Sequence, residues 1–364
     1  MPLLTEPNLS GRGKREDLMD MIALVDAKDT PFTSMARKGS KPGNMYFRWQ
    51  ADQNPGPTIG GVVDGTDVSS YSNYVVGYRK ELANYAQVFR QTVRVSKLTQ
   101  DIADVAGIRD ELSDNIAKAI IAIKRSMEAT FTSDQLGQPD NGTTNPYLTA
   151  GVQAWIGGDN IGTGLNIGTT APVGAPSFIT PANSIVGTGT ALGTSLTDTV
   201  VQNLLKSIYD QTGKYKSFDA IVGTDLKRAF TSLLGTTALT TTTTAGVTGS
   251  GATKVQTFQR DAAADTFIQS VDVFQGDFGT VRLHPTTFMG TVTSSGSNTT
   301  TYTARTAYGL VLDMDLIEVR YGGNVANVTA LPDYGGGPAR LVEAVAGLVV
   351  GNPLGLGKFN YTGA

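Results

Sequence analysis

The longest periodic stretch of the chain places apolar side chains at helical spacing. Within residues 108–133 they form one stripe, and charged residues occupy the other side. The stripe consists of Ile108, Leu112, Ile116, Ile120, Ile123 and Met127. A helix of this length would span about 39 Å. A single stripe predicts a helix that lies across a sheet, with Ile116, Ile120, Ile123 and Met127 as its packing residues.

Two segments nearer the N terminus, 45–50 and 82–96, alternate apolar and polar residues as strands do. The segment between them, 51–74, is rich in Gly and Pro and offers little to build a core. A strand over 82–96 would span roughly 45–50 Å, whereas an average strand has about five or six residues. A hairpin this long is not stable alone. We therefore predict an extended loop that lies on something outside its own domain; a β-arm folded back on its own sheet is the alternative.

Under this hypothesis, apolar residues of the two strands pack the loop against a neighbouring subunit. They are Tyr46, Phe47, Trp49, Tyr85, Phe89 and Val93. The segment 79–97 is also locally basic, and Arg90 and Arg94 lie on the face opposite Phe89. These two arginines could pair with carboxylates of an adjacent subunit or approach phosphates. Subunit contacts are the favoured interpretation, and they predict that Phe89→Asp leaves soluble subunits but no assemblies.

The rest of the chain alternates short helices and strands with polar stretches. Residues 16–27, 98–106, 196–213 and 225–234 have helical spacing, and residues 220–222, 310–321 and 341–350 read as strands. Residues 271–283 predict a hairpin that turns at Gln275-Gly276-Asp277. Stretches rich in Gly and Thr, at 157–193, 236–251 and 291–303, predict surface insertions. Together these patterns indicate an α+β protein with an α/β subdomain.

Composition excludes several classes of protein. The 364 residues contain no cysteine, so disulfides and thiolate metal sites are absent, and the net charge of −3 is unlike that of a dedicated nucleic-acid binder. The chain has no run of eighteen apolar residues, so no transmembrane helix is predicted. Residues 1–20 lack the pattern of a signal peptide. We expect no membrane partner and a protein that stays in the compartment where it is made.

Catalytic and cofactor patterns are missing or weak. His284 is the one histidine, and no G-x-S-x-G motif accompanies it. The glycines do not have the spacing of dinucleotide-binding or phosphate-binding loops. Asp313, Asp315 and Glu318 could bind a divalent cation, but the solvated face of an edge strand is the favoured interpretation. We therefore expect no catalytic residue, no cofactor and no metal site.

The order of these parts resembles the Hong-Kong-97-type shell fold of tailed-bacteriophage major capsid proteins. Two stretches carry the resemblance most specifically: Arg15–Gly39, with Arg-Glu-Asp-Leu-Met-Asp-Met-Ile and Asp-Thr-Pro-Phe-Thr-Ser-Met, and Asn84–Phe131, from Asn-Tyr-Ala-Gln-Val-Phe-Arg-Gln-Thr-Val-Arg-Val-Ser to Lys-Arg-Ser-Met-Glu-Ala-Thr-Phe. Residues 150–156 and 271–289 support it.

The resemblance implies a division of the chain into an N-terminal arm (1–44), an extended loop (45–96), a peripheral domain with a spine helix (97–150 and 336–364) and an axial domain with insertions (151–335). It implies a homo-oligomeric icosahedral or prolate shell of pentamers and hexamers, assembled in the host cytoplasm. The implied partners are portal, scaffolding and decoration proteins, and packaged double-stranded DNA through nonspecific inner-face contacts.

Two departures from relatives modify these expectations. Some relatives cross-link covalently through a lysine of the extended loop, but residues 51–79 contain no lysine and Lys80 lies near the base of the loop. We therefore expect noncovalent assembly. No long helical segment precedes Arg15, which predicts that no scaffolding domain is fused to the chain.

Three other functions stay open on the sequence. An encapsulin-like compartment would share the shell fold but hold an enzyme as cargo instead of DNA. A secreted β-rich fibre or adhesin would fit the Gly and Thr content, although the absence of a signal-peptide pattern and the long helix argue against it. A hydrolase that uses His284 would lose its activity in His284→Ala.

Overall fold

The computed structural model describes residues 29–52, 59–67, 80–102, 110–157, 166–167, 178, 180–233, 271–295 and 299–363. The helices are α1 Pro31–Met35, α2 Lys97–Ile102, α3 Glu111–Phe131, α4 Val152–Gly157, α5 Leu192–Ser195, α6 Asp198–Thr212 and α7 Thr224–Leu233. The strands are β1 Arg37–Lys38, β2 Tyr46–Ala51, β3 Lys80–Tyr85, β4 Gln87–Arg94, β5 Asn166–Ile167, β6 Ile185–Val186, β7 Lys216–Val222, β8 Val273–Gly276, β9 Gly279–Pro285, β10 Gly290–Ser295, β11 Thr299–Ala304, β12 Tyr308–Leu312, β13 Ile317–Tyr321, β14 Asn327–Leu331, β15 Ala339–Val350 and β16 Gly357–Asn360.

The first sheet is built around β15, the 12-residue strand near the C terminus. Strands β13 and β14 pair end to end with one edge of β15, and β4 pairs with residues 339–346 on the other edge. Every second side chain of β15, from Val342 to Val350, is buried. These side chains share one core with the buried residues of α3. The first sheet therefore lies against the longest described helix.

The second sheet has the strand order β6-β16-β12-β7-β9-β8. Its β7 and β9 are parallel, and the other pairs apart from β6–β16 are antiparallel. Apolar residues of α6 and α7 form a second core with one face of this sheet. Ile221 and Leu310 point to the opposite face and join the core of the first sheet. The two sheets are thus connected by shared packing.

Helix α3 follows the predicted apolar stripe. It begins after Asp110, whose side chain accepts hydrogen bonds from two backbone N–H groups of the first turn, as an N-cap residue does. Its 21 residues span about 32 Å. Ile123 and Met127 are buried, and Ile116 and Ile120 pack against the same core. The predicted start at Ile108 lies outside the described residues, as do all of residues 103–109.

Other local predictions are confirmed with shifts of a few residues. Helices α6 and α7 and the β8–β9 hairpin occur where the sequence places them. Helix α6 ends at Gly213, which adopts a left-handed conformation (φ 63°) that favours glycine. The predicted helix at 16–27 and most of the Gly/Thr-rich insertions fall outside the described residues.

Two predictions about strands are wrong. Residues 82–96 do not form one strand: they form β3 and β4, separated at Ala86, and the two strands pair with different partners. The stretch 310–321 divides into β12 and β13, which belong to different sheets. In both cases long-range pairing decides the structure, and local alternation does not reveal it. The described residues of the polar stretch 291–303 belong to β10 and β11, which pair antiparallel.

The sheets do not coincide with the predicted domain boundaries. Strands β13 and β14, placed in the axial domain on the sequence, belong to the first sheet with β15. Strand β16, placed in the peripheral domain, belongs to the second sheet with β12. The division into domains stays a prediction, and the sheets suggest how to redraw it.

Candidate assembly surface

The base of the extended loop is held by Asn84, at the end of β3. This side chain is fully buried, and both ends of its amide are used. Its Nδ2 donates to Leu348 O at 2.7 Å and to Ala150 O at 3.3 Å, and its Oδ1 accepts from Ala150 N at 2.9 Å and Tyr85 N at 2.8 Å. The amide therefore joins the loop to β15 and to the segment that precedes α4.

Two further side chains bind backbone groups on the same edge of β15, beyond the residues that pair with β4. The Trp49 indole Nε1 donates to Val350 O at 2.9 Å, and Leu348 N donates to Thr149 Oγ1 at 3.3 Å. A strand edge buried without such partners would leave backbone groups unsatisfied. Side chains of the loop base and of Thr149 thus replace the neighbouring strand that β15 lacks on this edge.

The side-chain amides of Gln87 and Gln135 extend this network toward α3. Gln135, which is buried just after the helix, donates through Nε2 to Gln87 Oε1 and to Thr149 O, both at 2.8 Å. Thr149 N donates to the same Gln87 oxygen at 3.2 Å. Strand β4, the end of α3 and the segment before α4 are therefore bound together at the base of the loop.

Apolar packing fixes the other face of the base. Phe47 is buried against Gly347 of β15, where a Cβ atom would lie only 2.7 Å from the phenyl ring. The Arg320 guanidinium lies 5.7 Å from the centre of the same ring. Gly347 is required here because its missing side chain gives the ring room to approach the sheet.

The predicted interface residues therefore find partners within their own chain. Phe89 is buried and meets Phe131 of α3 edge-on at 6.2 Å, and Phe47 is buried as described, so both side chains pack within their own chain, as the alternative of a β-arm folded back on its own sheet predicts. Phe89→Asp would consequently disrupt folding, and it cannot report on assembly alone.

The remaining predicted interface residues are partly accessible. Tyr46 and Tyr85 face each other at 5.0 Å, and with Trp49 and Val93 they lie at the margin of the main core. Arg90 pairs with Glu343 of its own chain at 2.6 Å, a largely exposed ion pair of the kind that contributes about 0–1 kcal/mol. Arg94 is exposed and lies against Gly336. A role of these residues between subunits stays a prediction.

The described part of the loop beyond the base, residues 59–67, is fully exposed. Three apolar side chains stand out there: Ile59, Val62 and Val63 are 97%, 82% and 79% exposed. A turn at Asp64-Gly65, closed by hydrogen bonds from Thr66 to Val63 O, follows them. We call residues 59–63 the loop tip. Sequence reasoning overlooked it because glycines interrupt the apolar residues.

The N-terminal arm is anchored by Glu128, which sequence reasoning placed on the polar face of the long helix. The structure buries Glu128 completely, and its two carboxylate oxygens accept hydrogen bonds from Phe32 N and Thr33 N, each at 2.8 Å. Burial raises the pKa of Glu128, and the two hydrogen bonds oppose that shift. Burial also raises the pKa of the nearby Tyr302 to about 12, and the charge of Glu128 adds to this shift. The carboxylate therefore ties α1 to α3.

The polar groups weighed for catalysis or metal binding are engaged in pairs. His284 Nε2 lies 3.0 Å from Asp219 Oδ1 on the adjacent strand. Asp313 is buried and bonds to Lys216, while Glu318 pairs with Arg37 and Arg320, each at 2.7 Å. The interpretation of Asp313 and Glu318 as a solvated strand face is thus wrong.

Across 29–363, with the gaps given above, no group of three or more His, Asp or Glu side chains is placed to hold a metal ion. Within the same residues, the helices are too short or too polar to cross a membrane.

Comparison with solved structures defines the class of fold. The chain is similar to the capsid of cyanophage A-1(L), with a TM-score of 0.64 and 13% identity over 95% of this chain and 96% of the other. It is also similar to the capsid of a native GTA particle (TM-score 0.56, 11% identity, 98% of each chain) and to that of Ralstonia phage GP4 (0.52, 10% identity, 98% and 97%). The fold is therefore the Hong-Kong-97-type capsid fold that the sequence resemblance implied.

The family follows from the sequence itself. The model of the SU10 major capsid protein family matches residues 5–362. A search of curated proteins found no match. The chain belongs to the SU10 major capsid protein family, and it is a major capsid protein of tailed phages.

Proposed function

We propose that each subunit places its loop tip on a neighbouring copy, and that this contact builds a closed shell of pentamers and hexamers around double-stranded DNA. The observation that carries the proposal is the contrast within the loop. Its base is bound into the core by Asn84, Trp49 and Phe47, whereas the apolar side chains at its tip are exposed. Exposed neighbouring apolar side chains mark interaction sites in soluble proteins.

The proposal gives separate tasks to the base and the tip. A base held by buried hydrogen bonds presents the tip in a defined direction, which lowers the entropy lost on association. Each tip buries only a few side chains, so a single contact is weak and a misplaced subunit can leave. Many such contacts hold a closed shell together.

The two sheets support a modified division into domains. The N-terminal arm (1–44) is kept, and the extended loop is shortened from 45–96 to 45–86 because β4 joins the first sheet. The peripheral domain consists of α3 and the sheet around β15, and the axial domain consists of the second sheet with α6 and α7. The axial domain meets its copies around the symmetry axes of the shell.

The remaining partners follow from the capsid function. Portal, scaffolding and decoration proteins contact the shell, and packaged DNA contacts its inner face without sequence preference. Assembly takes place in the host cytoplasm, needs no covalent cross-link, and the subunit acts as a structural protein without enzymatic activity.

The test is assembly of a tip variant. Val62→Asp should yield folded, soluble subunits that form no shells in negative-stain microscopy and sediment as small species, because a carboxylate cannot be buried at the contact without a partner. The matched control Val62→Ile keeps the tip apolar and should form shells. Normal shells from Val62→Asp would refute the role of the tip, and an enzyme copurifying with the shells instead of DNA would point to an encapsulin-like compartment.

A further inference from the structure

The loop between α3 and α4 contains the one Asn-Gly pair of the sequence, Asn141-Gly142. Asn-Gly pairs deamidate faster than other asparagines because glycine has no side chain to hinder attack on the asparagine by the next backbone nitrogen. Both residues are exposed, so water can reach them. An unprotected pair at this position would therefore be a chemical weak point of a shell subunit.

The structure engages both polar atoms of the Asn141 carboxamide in hydrogen bonds. The carboxamide Oδ1 accepts hydrogen bonds from three backbone N–H groups further along the chain, those of Thr143 (3.1 Å), Thr144 (2.9 Å) and Asn145 (2.8 Å). The carboxamide Nδ2 donates to Thr144 Oγ1 at 3.1 Å. The side chain thus faces forward along the chain, and its oxygen serves as the acceptor at the centre of the turn.

The attacking nitrogen is held as well. Gly142 N donates to Asp140 Oδ1 at 2.6 Å, and Gly142 has a φ of 74°, in the left-handed region. An anionic carboxylate next to this N–H disfavours loss of its proton, because the resulting amide anion would face a like charge. Backbone hydrogen bonds between Gln138 and Leu148, both at 3.0 Å, close the loop at its ends.

We propose that Asn141 is a latent deamidation site, which the folded loop 138–148 keeps unreactive. In the reaction, Gly142 N loses its proton to water and bonds to Asn141 Cγ, and the Cγ–Nδ2 bond breaks as Nδ2 takes up a proton from water and leaves as ammonia. Water then opens the cyclic imide to aspartate or isoaspartate. The first step requires the carboxamide to leave its hydrogen bonds and turn back toward Gly142 N, so it proceeds only when the loop opens.

The site matters because loop 138–148 leads directly into the segment that binds the base of the extended loop. Isoaspartate adds one atom to the backbone, which is incompatible with the present closure between Gln138 and Leu148. The next residues, Thr149 and Ala150, hold Asn84 and the edge of β15. Conversion of Asn141 to isoaspartate would therefore loosen the segment that positions the loop.

The test follows deamidation of the full-length chain by peptide mapping with mass spectrometry, in native buffer and in urea. We expect the native chain to deamidate at Asn141 at least ~10-fold more slowly than the unfolded chain, because the reactive form is a minor, locally opened state. Equal rates in the two conditions would overturn the proposal.

Two variants assign the protection to named contacts. Asp140→Ala frees Gly142 N and should accelerate native deamidation, whereas Thr143→Val removes only a 3.3 Å hydroxyl contact to Asn141 Oδ1 and should leave the rate unchanged. Circular dichroism checks that both variants are folded, and rates in urea give their unprotected values. A native rate for Asp140→Ala equal to or below that of the wild type would show that Asp140 does not restrain the reaction.

Discussion

Replacing Asn84 by leucine tests whether buried hydrogen bonds hold the base of the extended loop. Leucine has a similar size but offers no polar group, so Leu348 O and Ala150 N lose their partners in a fully buried place. Each buried backbone group without a partner costs about 1–3 kcal/mol. The two together predict a loss of ~2–6 kcal/mol, out of a typical total stability of ~5–15 kcal/mol.

Urea unfolding of isolated subunits, followed by tryptophan fluorescence, measures this loss directly. The chain has two tryptophans, Trp49 and Trp155, whose rings lie 5.6 Å apart at the base of the loop. The control is Asn327→Leu, an exposed asparagine of β14, which should change stability by less than ~0.5 kcal/mol. A loss below ~1 kcal/mol for Asn84→Leu would refute the view that this amide fastens the loop.

Further variants test the anchor of the arm, the packing of the loop and the end of a helix. Burial raises the pKa of Glu128, so the native wild-type chain binds this proton more tightly than the unfolded chain does. The stability of the wild type therefore falls as pH rises through that pKa, whereas Glu128→Gln has no group that titrates at this position. The stability of Glu128→Gln relative to the wild type should therefore increase from acidic to neutral pH in urea titrations, and a decrease would contradict the burial of an ionised carboxylate. Gly347→Val forces a side chain into the Phe47 ring and should lower stability by about 1–3 kcal/mol in thermal unfolding, whereas the exposed Gly323→Ala should not; equal effects would argue against close packing at Gly347. Gly213→Ala must adopt the left-handed conformation at the end of α6 and should cost ~1–2 kcal/mol by the same assay, with no change expected if that helix end simply frays.

Only part of the candidate surface could be predicted from the sequence. Alternation identified Phe89 and Val93 as one face of a strand, and the structure agrees that Phe89 faces a core. It could not show that this core belongs to the same chain, because β4 pairs with β15 some 250 residues later in the sequence. Asn84 carried no signal, since an asparagine that binds Leu348, 264 residues away, reads as an ordinary polar residue.

Glu128 is a second residue whose burial could not be predicted from the sequence. Its helical position placed it among charged residues, and nothing local indicates that α1 covers it. The arm supplies two N–H groups without partners in α1, and these make burial of the carboxylate possible. Exposure of the loop tip was likewise undecided until the path of the chain was known.

The sequence alone determined the local elements and, through its resemblance, the fold: the stripe of α3, the helices α6 and α7, the β8–β9 hairpin and the capsid architecture. Hydrophobic periodicity suffices for the local elements because the hydrogen-bond partners within a helix or a tight hairpin lie a few residues apart. Only the tertiary structure decided the break at Ala86, the division of strands between two sheets and the buried anchors of the arm and loop. Those features depend on which distant backbone groups need a hydrogen-bond partner, and that need arises only when the chain is folded.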